Sequence, residues 1–299
     1  MIKGRQDAVF DTANHIFLSL VLFVVAYPLY WTVIASFSDP DLVNLGRVWL
    51  IPLEASADAY MHVLRAERLW LGYYNSLIYM ALGTLLSLSL VLTVSYGLSR
   101  KGLVGRGVIM AMFVFTMFFS GGLVPTFLLV RALGMVDTRL ALIIPSAVGV
   151  WHIIITRTFY ESTIPGELYE AAKIDGASDA SIFLRIVLPL SKPIIAVIAL
   201  FVAVGQWNSF FPALVYLPRS RALHPLQMVL REVLLLNQSL GLDPTMLSED
   251  EYQYLVRAQR MAETMRYALI IVASAPLLII YPFVQKHFVK GVMIGSLKG

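Results

Sequence analysis

The sequence contains no cysteine, so disulfides, thiolate metal sites and cysteine nucleophiles are excluded at the outset. Charge is also scarce: 14% of residues are Asp, Glu, Lys or Arg, 58% are hydrophobic, and the mean hydropathy is +0.74. Soluble domains carry about a quarter charged residues, so this composition indicates an integral membrane protein. No GxxxxGK[ST] phosphate loop occurs, because the nearest glycine spacing, Gly97 to Gly102, is followed by Leu103. The chain therefore lacks the phosphate cradle of an ATP motor. HExxH, GxSxG and paired intramembrane carboxylates are absent too, which argues against an enzyme and against an ion-coupled carrier. The formal net charge of +4 is spread through the loops, with no basic stripe or aromatic RNA motif, and does not point to nucleic acid.

What the chain does have is long apolar runs. A stretch of about 20 apolar residues crosses a bilayer, and the pattern predicts six transmembrane helices, over about 16–37, 73–98, 108–130, 140–156, 193–217 and 267–285. The first run exceeds a signal-peptide core and is followed by no small-x-small cleavage site, so it reads as a retained anchor, with a kink expected at Pro28. All seven lysines (Lys3, Lys101, Lys173, Lys192, Lys286, Lys290 and Lys298) fall on one side of this scheme, together with both termini. That side is cytoplasmic by the positive-inside rule. Residues 38–72 and 218–266 become external loops, the second carrying the acidic cluster Glu249-Asp250-Glu251, and residues 1–299 read as one all-α membrane domain.

Between the fourth and fifth runs lies a polar island, 157–192. Ala171 and Ala172 favour a short helix that Gly176 is placed to end, because glycine accepts a left-handed backbone. A second helix follows. Ser178 or Asp179 can cap its start, Ile182, Phe183 and Ile186 recur at helical spacing, and Pro189 is expected to close it. A helical hairpin with one apolar face, held at a membrane surface, suits docking into a groove on a partner.

The spacing Glu170-Ala171-Ala172, three residues, Gly176, nine residues, Ile186, one residue, Leu188-Pro189 resembles the signature loop of bacterial ABC importer permeases. The segments FSGGLVPTFLLV, RTFYESTIPGELYEAAKIDGAS, RIVLPLSKP, WNSFFPALVY and KHFVKGVMIGSLKG resemble the maltose-type carbohydrate class, closest to the branch for complex oligosaccharides and plant or algal polysaccharide fragments. Uronate-containing chains such as alginate or pectin fragments fall within that range, as do neutral oligosaccharides. The resemblance implies a maltose-type permease fold in a bacterial inner membrane. It also implies a second related permease subunit, two ATPase subunits that hold the ATP and Mg, an extracytoplasmic solute-binding protein, and no cofactor in this chain. It assigns coupling to the ATPase to Glu170, Ala171, Ala172, Asp175, Gly176, Ile186, Leu188 and Pro189. The alternative in another class is an ion-coupled secondary carrier.

Two further places carry polar groups at membrane depth. Gln206 and Asn208 flank Trp207 in the fifth run, and amides in hydrocarbon must pair across helices or face water. They either hold the bundle together or, with Trp207, line a translocation path for a sugar. His152 in the fourth run is expected to bond between helices. The tail around Lys286–Lys290 and Gly291 either meets anionic lipid headgroups or, by resemblance to the tail of the maltose-type partner permease, reaches the ATPase through Lys290 and Gly291.

Overall fold

The computed structural model describes residues 5–236, 253, 262–279 and 281, and among these every regular element is helical. Two compact units emerge, one from 1–67 with 230–275 and the other from 68–229 with 276–299.

The first unit contains α1 (Arg5–Ser36), α2 (Pro40–Asn44), α3 (Asp58–Arg65) and α15 (Ala262–Ile279). α1 runs unbroken through Pro28, and its apolar side chains, such as Phe17 and Phe23, point outward, as suits a helix solvated by lipid. Its final turn packs: Ile34 and Ala35 meet Val43 and Val48, and the Trp31 ring stands edge-on to Tyr267 at 5.3 Å. The 38–72 loop is thus partly helical. Asp39 caps α2 by accepting from the Asp41 and Leu42 amides, with Pro40 in the first turn, where its missing N–H costs nothing.

The second unit is built on α4 (Glu67–Ser99). At 1.5 Å per residue this helix is about 50 Å long, more than the hydrocarbon core of about 30 Å. Its buried stripe, Gly72, Asn75, Ser76, Tyr79, Gly83, Ser87, Val91, Ser95 and Tyr96, recurs every three or four residues and is rich in small side chains, which lets neighbouring helices approach closely. Three apolar clusters follow that stripe. Tyr79 packs with Val130, Leu142 and Tyr216; Val91 with Ile153, Ile194 and Ile198; and Leu92 and Tyr96 with Tyr160, Tyr169 and Ile182.

Around α4 the expected continuous helices are interrupted. The run 108–130 divides into α5 (Arg106–Phe118) and α6 (Leu123–Ala132), bent by 114°, the break falling at Ser120-Gly121-Gly122, where no side chain favours the helix. The run 140–156 yields α7 (Leu140–Ile143) and then α8 (Val150–Thr163). Pro145 between them lacks the N–H that would continue α7, and α8 alone, at about 21 Å, is too short to cross the core. The run 193–217 divides at Asn208 into α12 (Lys192–Trp207) and α13 (Phe211–Tyr216). Pro212 has no N–H with which to continue α12 and sits in the first turn of α13, where none is needed. A short 3₁₀ turn, Arg221–Leu223, and α14 (Leu226–Leu236) follow. Among the described residues, three single helices, Val9–Ser36, Glu67–Ser99 and Ala262–Ile279, are long and apolar enough to cross a membrane. Helix α15 is already formed at Ala262, five residues before the expected 267–285 span, and Glu249-Asp250-Glu251 lie outside the described residues.

Candidate functional site

The polar island folds as two short helical rods. The first is α9 (Gly166–Ile174). It ends in a Schellman turn: the Ala177 amide donates to the Ala172 carbonyl at 2.9 Å and the Gly176 amide to Lys173 at 3.0 Å. Gly176 has φ 77, the left-handed value that glycine adopts without strain. Ser178 caps the second rod, accepting from the Ser181 amide at 3.3 Å. That rod, Asp179–Leu190, comprises α10 (Asp179–Ile182), a π-helical turn (Phe183–Val187) and α11 (Leu188–Leu190). Pro189 does not end it. Proline cannot donate to the carbonyl four residues back, and the ladder widens ahead of it, with the Leu188 amide reaching Phe183. The corner falls two residues later at the buried Ser191, where the chain turns 81° into α12.

Burial divides the signature residues between two faces. Tyr169, Ala172, Ile182 and Val187 are buried against Leu92, Tyr96, Tyr160 and Ile164, with Ile186 and Leu188 packed beside them. Glu170, Ala171, Asp175, Gly176 and Pro189 are exposed. Ile174 crowns the outward face at 86% exposure. An aliphatic side chain presented among carboxylates is a ready anchor for a partner's apolar pocket. The helical periodicity reading did not single it out.

Beside α9 lies an open cleft of about 890 Å³ whose lining includes Arg100, Lys101, Arg106, Glu170, Lys173 and Asp179. The Arg100 guanidinium stacks on the Tyr169 ring, 3.4 Å from its centroid. Burial pushes the Tyr169 phenol above its ordinary range, and the Arg100 charge works the other way. Across the loop, Glu161 pairs with Arg157 at 3.0 Å and with Arg106 at 3.4 Å.

In α12, Gln206 is buried and its Nε2 donates to Ser146 Oγ at 2.9 Å. Gly83 faces it so closely that an added Cβ would lie 2.8 Å from that nitrogen. Trp207 is fully buried in its own unit, edge-on to Tyr73 at 5.6 Å, whereas Asn208 is exposed at the end of α12. His152 stacks with Phe201 at 6.4 Å. Lys290 and Gly291 lie outside the described residues.

Residues 83–294 match the family model described as the binding-protein-dependent transport system inner membrane component. The chain belongs to that family. Among its relatives is the polygalacturonan/rhamnogalacturonan transport system permease protein YtcP of Bacillus subtilis, 38% identical over 98% of this chain and 100% of that protein. Protein LplC of the same organism is 40% identical over 100% of this chain and 98% of its own length. A crystal structure of a bacterial ABC transporter involved in the import of the acidic polysaccharide alginate contains a chain of the same fold, with TM-score 0.83 and 33% identity, covering 96% of this chain and 99% of that one. This inner membrane component is thus a multi-pass permease subunit of a binding-protein-dependent ABC importer, and ATP hydrolysis resides in a separate subunit. The family match supports the importer over the ion-coupled carrier.

Proposed function

We propose that this permease subunit imports carbohydrate, with uronate-containing polysaccharide fragments as its substrate class, and that residues 166–190 are its coupling element to the ATPase. Acidic-polysaccharide importers recur among its relatives. The observation that carries the coupling role is the outward face of α9, where Glu170, Ala171, Asp175 and Ile174 stand exposed on a rod whose other face is locked into the unit. On this reading the chain crosses the membrane six times, the interrupted helices completing the bundle, with both termini inside. It pairs with a second related permease, and two ATPase subunits hold the ATP and Mg. ATP-driven closure of those subunits moves α9, and the bundle alternates between inward and outward access.

Gln206 and Trp207 then serve as packing residues, with Asn208 the member of that trio available to a translocation path. The absence of native cysteine makes the test direct: a cysteine at Ile174 should crosslink to the co-expressed ATPase in a nucleotide-dependent manner. Ala172, being buried, should not. No Ile174 crosslink in an assembled complex would overturn the coupling assignment. Uptake of oligogalacturonate should exceed that of a neutral glucan oligomer, and exclusive uptake of the neutral probe would overturn the substrate class.

A further inference from the structure

The cytoplasmic end of α4 holds both rods of the coupling element. Arg100, the first residue beyond α4, lays its guanidinium on Tyr169 of α9 at 3.4 Å and approaches Tyr96 at 5.3 Å. One turn back, the Tyr96 hydroxyl donates to the Asp179 carbonyl at 3.3 Å, and its ring lies 5.0 Å from Phe183 in the second rod. Arg100 and Tyr169 are adjacent to the parts that matter on each side: Tyr169 immediately precedes Glu170 on the docking face, and Arg100 continues the longest helix of the unit.

Tyr169 and Ala172 of α9 pack with Leu92 and Tyr96 of α4, and beside that contact an open cleft of about 890 Å³ separates the rest of α9 from the loop that follows α4. On the cleft side, a push on the docking face reaches the end of α4 where something bridges the cleft. The stacked pair does so, and a cation is well placed at this position because the C-terminus of α4 carries partial negative charge. A planar guanidinium over a buried ring resists separation yet tolerates sliding in the plane, unlike a directional hydrogen bond.

We propose that Arg100 is a positioning residue for energy coupling: through Tyr169 it ties α9 to α4, so that displacement of the docking face is delivered to the transmembrane helix. This rests on the coupling role proposed above. The test uses the complete transporter in proteoliposomes, co-assembled with its ATPase, partner permease and binding protein, and reads substrate transported per ATP hydrolysed. Arg100→Gln should leave assembly and stimulated ATP hydrolysis near the parental level while transport per ATP falls about tenfold, the scale of a half-buried cation–π contact. Arg100→Lys keeps the charge but loses the flat stack and should fall between. Tyr169→Leu should reproduce Arg100→Gln, and Tyr169→Phe, which retains the ring, should restore the ratio.

If Arg100→Gln lowers assembly, hydrolysis and transport in parallel, leaving the ratio unchanged, the role is structural and the proposal is overturned. Loss of assembly in both Arg100→Gln and Tyr169→Leu has the same meaning. Glu170→Lys separates the two levels of inference. Loss of ATPase association there, with an unchanged ratio in Arg100→Gln, removes the clamp alone; normal association and transport in Glu170→Lys removes the coupling element itself.

Discussion

The two ends of α4 are joined to their surroundings by different chemistry. At the N-terminal end the joint is made of hydrogen bonds: buried Asn75 donates to the Ala222 and His224 carbonyls at 2.8 and 3.1 Å and accepts from Arg139 at 3.0 Å. Ser76 accepts from the Leu226 amide at 2.8 Å and Tyr79 donates to Leu223 at 2.8 Å. At the C-terminal end rings predominate: Arg100 lies over Tyr169 and near Tyr96, Phe183 packs tilted against Tyr96, and the Tyr96 hydroxyl reaches the Asp179 carbonyl at a longer 3.3 Å. Hydrogen bonds to backbone carbonyls weaken steeply with angle and so fix register, while stacked faces keep most of their contact through small slides. On the coupling role proposed above, one end of the helix is an anchor and the other a joint that can move.

The most damaging way to break that contrast is to destroy the moving joint from outside. Gly176→Pro places a residue fixed near φ −65° where the chain requires φ 77 and deletes the amide that bonds Lys173. Uptake should fall to background while the protein still inserts, as read by transport assays alongside membrane fractionation. Normal uptake would mean that the turn between the rods is dispensable.

Breaking the anchor comes next. Asn75→Ala leaves two carbonyls and the Arg139 guanidinium without the amide partner they share, at a cost of about 1–3 kcal/mol per group orphaned. The purified complex should lose thermal stability outright, and the transport that survives should keep its ratio to ATP hydrolysis. A fall in that ratio with unchanged stability would reverse the roles of the two ends.

Gly83→Ala probes the middle of the helix, where neither joint acts. The added methyl would meet the Gln206 side chain at 2.8 to 3.1 Å and displace it from Ser146, with an overpacking cost of about 1–3 kcal/mol. Thermal unfolding of this variant should resemble a mild form of Asn75→Ala. Unchanged stability would show that Gln206 has room to repack.

Local features of this molecule were legible in the sequence and distant pairings were not. Gly176 at the end of α9 and Ser178 at the cap of α10 follow from backbone chemistry confined to a few residues, and the three longest apolar helices follow from length and hydropathy. Ser120-Gly121-Gly122 and Pro145 mark the third and fourth runs as able to kink, but the expected spans run straight through the breaks, because a hydropathy window sums apolar residues and is blind to a 114° turn at Phe119–Gly122. Pro189 misled for the opposite reason: a π-helical turn absorbed its missing donor, and the corner moved to Ser191. Asn75, whose partners lie 147 and 149 residues away, and Arg100, whose ring lies in the polar island, carry no signal in their own neighbourhoods.

The smallest expected effect sharpens the comparison most, because it separates stacking from ion pairing at the moving end. Glu161 accepts from Arg157 at 3.0 Å and sits 3.4 Å from Arg106, the residue that opens α5 beyond the loop holding Arg100. Its side chain is 36% exposed, so water and salt screen both pairs, and Glu161→Gln should cost no more than about 0.5 kcal/mol. Transport per ATP should be unchanged in low and in physiological salt. If instead Glu161→Gln lowered that ratio as far as Arg100→Gln, and added salt did the same to the parent complex, the moving end of α4 would be held by its charges. The stack of Arg100 on Tyr169 would then be a consequence of that network and not the link itself.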